Sequence, residues 1–143
     1  MDSRSNPNST SADLAEVRAL FERQVKAEND HDLAGIASVL AEEQDGEDPR
    51  VMFVARIGRF AGREAVLRRF EGNFSGTWAF HPDMTQFHAV LLAPDAIHLD
   101  VPTEVTVGAP GQPVRTAHFI VNQIAVRTAS GWRFAAIIPV PAE

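Results

Sequence analysis

Cysteine is absent from this chain of 143 residues, which removes disulfides, thiol nucleophiles and cysteine-based zinc sites together. The fold must therefore hold by packing alone. Positive charge is scarce: 13 Lys and Arg stand against 19 Asp and Glu, a net charge of −6. The chain thus has no broad attraction to nucleic acid or anionic lipid, and its one dense basic group is Arg63, Arg68 and Arg69. No apolar run nears the ~20 residues of a membrane-spanning helix, and the N-terminus is polar where a secretory signal needs an apolar core. These absences lead us to expect a soluble, cytoplasmic protein with no membrane or nucleic-acid partner. What is present is 45% hydrophobic residues in a chain the length of one domain, enough for a real core.

Residues 1–12 open with MDSRSNPNSTS, small, polar and proline-containing, and are expected to be a disordered lead-in to a single domain over 13–143. Asp13 with Glu16 makes a capping-box-like pair, and Leu14, Val17, Leu20, Phe21 and Val25 recur at helical spacing on one face. Asp32 is placed to cap a second short helix with Leu33, Ile36 and Leu40 inward. The acidic run EEQDGEDP reads as a solvated connector, because it lacks the regular spacing and closing Glu of a calcium loop. RVMFVARIGRF follows as two short strands about a tight turn, then a helix on which Val66, Phe70 and Phe74 stack. From Phe80 onward come long segments rich in Val, Ile, Phe and Thr, divided at Pro94-Asp95, at Gly108 to Pro113 and at Ser130-Gly131. Helices first and a meander of strands after is an α+β layout.

The stretch IGRFAGREAVLRRF sets Gly58 and Gly62 four residues apart before a helix. A phosphate-binding loop of the form G-x-x-x-x-G-K-[ST] sets its glycines five positions apart and follows them with a Lys for the phosphates and a hydroxyl for magnesium. Here the glycines are one residue too close, Arg63 replaces the Lys, and Glu64 puts a carboxylate where the hydroxyl belongs. We read Gly58 as turning a hairpin and Gly62 as opening a helix where the backbone is tight.

The Asn29 to Leu33 corner, the run Phe60-Ala61-Gly62-Arg63-Glu64 and Gly131-Trp132-Arg133 together resemble the SnoaL-like and SgcJ/EcaC-like branch of the nuclear-transport-factor-two-like superfamily, which also includes ketosteroid isomerases. The resemblance spans roughly Asp13 to Pro139. It implies a cone, cystatin-like or ketosteroid-isomerase-like: N-terminal helices packed in the concave face of a strongly curved, mostly antiparallel sheet. It also implies an apolar pocket inside, a second copy against the outer sheet face, and a core role for Trp132. Two largely apolar parities in Val114 to Thr128 fit a strand covered on both faces. We therefore expect a homodimer through the sheet, burying on the order of 1,500 Å² or more in total.

Ketosteroid isomerases imply a carboxylate base and a tyrosine or neutral acid as oxyanion donor; this chain has no tyrosine. SnoaL-like cyclases imply an acid/base carboxylate in an apolar cavity, and Asp100 is the acidic residue best placed within a strand. His98 shares its face about 7 Å away by strand rise. Alternation sets both opposite the apolar parity of Ile97, Leu99, Val101 and Val105, so they also fit a solvent face or dimer seam. His118 and Asn122 share a parity with Ile120 and Ile124, a polar spot on an apolar wall. The catalytic candidates are Asp100 and His118; His88, His98, Asn122 and Trp78 are candidate ligand contacts. A metal site from His88, His98, Asp100 and His118 lacks any H-x-H or H-x3-H spacing, so neither metal nor cofactor is expected. Ile138, sharing the parity of Trp132, is expected to make the cavity oilier. The function this implies is binding of a small apolar ligand, a carbonyl-bearing or polycyclic one, with isomerase- or cyclase-like acid/base chemistry. A non-catalytic dimeric binding or scaffold domain is equally open.

Overall fold

The computed structural model describes residues 7–43 and 50–142. Helix α1 spans Pro7–Asn29 and α2 Leu33–Val39. Strands β1 (Met52–Ala55) and β2 (Gly58–Ala61) form a hairpin, and α3 (Arg63–Phe74) follows. Strands β3 (Thr77–Pro82), β4 (His88–Ala93), β5 (Ala96–Gly108), β6 (Arg115–Thr128) and β7 (Gly131–Pro141) complete the chain. The sheet runs β2-β1-β7-β6-β5-β3, with β4 also on β5. All pairings are antiparallel except β1 with β7. The helices lie in the concave face of this curved sheet, as expected. No helix among the described residues is long and apolar enough to cross a membrane.

Helix α1 begins at Pro7, ahead of the expected start at Asp13; proline suits a first helical turn, where its missing N–H is not needed. Residues 1–6 of the expected lead-in, and 44–49 of the acidic connector, lie outside the described residues. Asp13 instead accepts from Trp132 Nε1 at 3.2 Å and pairs with Arg127 at 2.8 Å. The Asp32 cap forms as the sequence predicts, its carboxylate accepting from Gly35 N at 3.0 Å. Gly62, at φ 96, caps α3 in a conformation that side chains resist. Its first free amide, that of Arg63, is taken by Glu43 Oε1 at 2.8 Å. The Arg63 guanidinium turns away and donates to the carbonyls of Ala37, Leu40 and Ala41 at the end of α2. A carboxylate thus sits where a phosphate would need to, and the arginine serves as a helix C-cap.

Strand β3 was not separable in the sequence from the long strands after Phe80. It pairs with residues 103–108 of β5 while β4 pairs with residues 96–100, so one long strand carries two short neighbours along the same edge. Asp83 caps the turn between them through Thr85 N and Oγ1 and Gln86 Nε2. Gly76 makes the entry to β3 possible, since a Cβ there would lie 2.2 Å from the Gly108 carbonyl oxygen. The core is aromatic at its centre. Phe21 of α1 meets Phe80, Phe87 and Phe134 at centroid distances of 6.2, 5.8 and 6.4 Å, and Trp132 is 1% exposed.

Candidate functional site

The exit of α1 anchors the cavity wall. Asn29 Nδ2 donates to the Phe80 carbonyl, and Phe80 N donates back to Asn29 Oδ1, at 2.9 and 2.8 Å. His31 holds a left-handed φ of 52, stacks on Phe74 at 5.0 Å and donates from Nε2 to the Trp78 carbonyl. These contacts offset the strain of a non-glycine residue there. Together they lock the last turn of α1 against β3, setting Glu28 beside Trp78.

Between the helices and the concave sheet lies a cavity of about 760 Å³, within the range of small-molecule sites. Phe53, Phe70, Phe80, Val105, Phe119 and Val121 give it apolar walls. On the inner wall stands a closed polar network. Gln24 Nε2 donates to Glu28 Oε2 at 2.9 Å and to Gln123 Oε1 at 3.1 Å, and Gln123 Nε2 returns a bond to Gln24 Oε1 at 2.8 Å. Trp78 Nε1 donates to Glu28 Oε1 at 3.1 Å. Gln24, Glu28 and Gln123 are all within 1% of full burial. Burial pushes the Glu28 carboxyl up to about 7, opposed by the Gln24 and Trp78 hydrogen bonds. A carboxyl of that kind exchanges its proton at neutral pH, inside an apolar chamber.

Of the residues expected to form the site, Trp78 and His118 line this cavity. His118 is exposed and belongs to the outer parity, opposite Glu104. Asp100, His98, His88 and Asn122 lie on the convex face, because Ile97, Leu99, Val101 and Val105 of the other parity fill the core. There His88 Nδ1 meets Asp100 Oδ2 at 3.1 Å, and His98 Nε2 donates to Asn122 Oδ1 at 3.0 Å. Of the polar spot expected on the cavity wall, Asn122 is therefore on the other side of the sheet, while His118, though exposed, lines the cavity. Among the described residues no three His, Asp or Glu converge as metal ligands would.

Ile138 is also displaced. In the β6–β7 register Ala125 faces Phe134 and Ile124 faces Ala136, leaving Ala135 as a bulge. The extra residue exchanges the faces of everything after it, so Ile137 and Pro139 line the cavity and Ile138, opposite Asn122, points outward. Glu28, Gln24 and Gln123 were missed, although a signal exists. Val17, Phe21, Gln24 and Glu28 continue one helical stripe, placing two polar side chains on an otherwise apolar face.

A fold of this kind, helices in a curved sheet around a chamber, is that of the nuclear-transport-factor-two-like, or cystatin-like, proteins. The chain superposes on a nuclear-transport-factor-two-like superfamily protein from Salmonella enterica serovar Typhimurium with a TM-score of 0.79, 14% identity and coverage of 94% of both chains. An uncharacterized cystatin-like-fold protein from Caulobacter vibrioides matches at 0.75, with 16% identity over 92% of this chain and 91% of that one. A hexachlorocyclohexane dehydrochlorinase from Novosphingobium barchaimii matches at 0.76, with 12% identity over 94% and 89%. No protein-family model and no curated protein matches the sequence.

Proposed function

We propose that this chain is a SnoaL-like small-molecule-binding protein whose cavity carries out general acid/base chemistry, with Glu28 as the proton carrier. One observation carries this reading: a wholly buried carboxyl, raised to about 7 by desolvation, lines a ligand-sized apolar chamber with each oxygen oriented by a separate donor. Such a group can take a proton from carbon next to a carbonyl and return it elsewhere on the same ligand. An apolar carbonyl-bearing or polycyclic molecule fits the chamber. The structural likeness to a dehydrochlorinase supports small-molecule chemistry of this broad kind. Asp100 and His118 are not needed in this scheme. Turnover of a panel of polycyclic ketones tests it: Glu28→Gln is expected to lose ~100-fold or more in rate while Asp100→Asn stays near the parent. Equal loss in both, or none in Glu28→Gln, would refute the assignment.

A non-catalytic binding domain is the second reading, favoured by the internal bonds that both Glu28 oxygens already accept. It predicts ligand binding with no turnover across the panel. Either reading includes a homodimer through the outer sheet face, where Val90 is 40% and Val140 46% exposed and Ile120, Ile124 and Ile138 are half-buried. Light scattering at micromolar concentration is expected to give twice the 15.6 kDa chain mass; a monomer mass would remove the dimer from the proposal.

A further inference from the structure

Glu28 is not the only charged side chain in the chamber. Arg69 of α3 lines it as well, and its Nε is buried without a hydrogen-bond partner. Among the described residues no carboxylate pairs with its guanidinium. The ring faces of Phe53 and Phe60 approach it, with centroids 6.0 and 5.8 Å from Cζ. Glu28 is not its counter-ion either, since hydrogen bonds from Gln24 and Trp78, and no cation, offset the desolvation of that carboxyl. Burial lowers the Arg69 pKa below the usual arginine value, the mark of a charge kept in poor solvation. Asn73, at i+4 on the same helix, lines the same chamber, and its side-chain amide makes no hydrogen bond among the described residues. Arg56 and Arg115 border the chamber from exposed positions, adding positive potential at one place on a chain of net charge −6.

A half-buried guanidinium without an internal anion is poorly compensated, and its planar fork fits a carboxylate with two parallel hydrogen bonds. We propose that Arg69, with Asn73 beside it, is a carboxylate-binding subsite, and that the ligand is an apolar ring-bearing acid. Its carboxylate docks on α3 and its hydrocarbon body extends over the aromatic wall toward Glu28. This rests on the chamber being a ligand site and adds the charge class of what enters it.

The test is binding rather than turnover, using 1-pyrenecarboxylate and 1-pyrenecarboxamide as probes in fluorescence titrations of the full chain at neutral pH. The acid is expected to bind ~10-fold or more tightly than the amide. Arg69→Met should bring the two within ~2-fold by weakening the acid alone, and Arg69→Lys should keep part of the preference. Arg69→Gln answers the same question should the methionine variant fail to fold. Glu28→Gln should leave the preference in place, so loss of catalysis and loss of anion binding are read separately. The proposal is overturned by equal binding of the two probes, by binding of neither, by a preference that survives removal of the guanidinium, or by one that disappears with Arg56→Gln or Arg115→Gln instead.

Discussion

Strands β5 and β6 carry polar side chains on both faces, and the two sets live in different solvents. Outward, Asp100 pairs with His88, and their side chains remain 32% and 65% exposed. Inward, Gln123 of β6 binds Gln24, which binds Glu28, and all three are withdrawn from water. The outer pair has the residue types usually associated with proton transfer, an imidazole beside a carboxylate. The inner set has two amides, an indole and one acid. Burial raises the pKa of the inner acid to about 7. Solvent exclusion, more than residue type, decides which carboxyl is tuned, and the sheet register decides which residues are excluded.

The strongest way to break this contrast is to remove the device that sets the faces of β7. Deleting Ala135 would force residues 136–141 to exchange faces or lose pairing with β1 and β6, and the expected loss exceeds ~4 kcal/mol in urea denaturation. Parent-like stability would show that the bulge does not govern the faces. Next in size is a pH effect. The unfolded chain releases the Glu28 proton near the ordinary 4.5 and the folded chain near 7. The fold holds the extra proton between those values, so this group favours folding most below 4.5, progressively less as pH rises to 7, and no further change follows above it. The whole step is about 3 kcal/mol. Denaturation at a series of pH values should show it as a difference between parent and Glu28→Gln, and parallel profiles would contradict it.

A smaller effect is expected from Gln123→Leu, which leaves the Gln24 carbonyl oxygen buried without its donor. A loss of about 2 kcal/mol in the same assay fits the cost of one unsatisfied buried group. Asp100→Asn on the outer face should change stability by less than ~0.5 kcal/mol, as for other exposed pairs. If it cost as much as Gln123→Leu, the two faces would not differ as described.

Much of the fold was written in local signals. Asp32 caps, Gly62 opens α3, Trp132 is core, and the alternation of β5 sorts Ile97, Leu99 and Val101 from His98 and Asp100. Each depends on residues within a few positions. The site was less legible because it depends on how distant elements meet. Strand alternation gives two faces but does not say which is concave, so parity alone assigns Asn122 to the wall, whereas it lies on the convex face beside His98. Parity itself fails across a bulge, and nothing in AAII identifies Ala135 as the extra residue, so Ile138 was placed on the wrong side. Glu28 was readable in principle from the stripe through Val17, Phe21 and Gln24. Near the end of a helix, however, a Glu also fits an exposed last turn, and only the Asn29 contacts with Phe80 reveal that this turn is covered.

Those contacts have a second consequence. Strand β3 ends the sheet, and the backbone groups it turns away from β5 would otherwise invite another chain to add on. The Asn29 amide takes both such groups of Phe80, and the His31 ring takes the carbonyl of Trp78, so two side chains stand in for the missing neighbour. Replacing Asn29 would uncover a sticky border, and the first symptom would be aggregation on concentrating the protein, well before any loss of its folded shape.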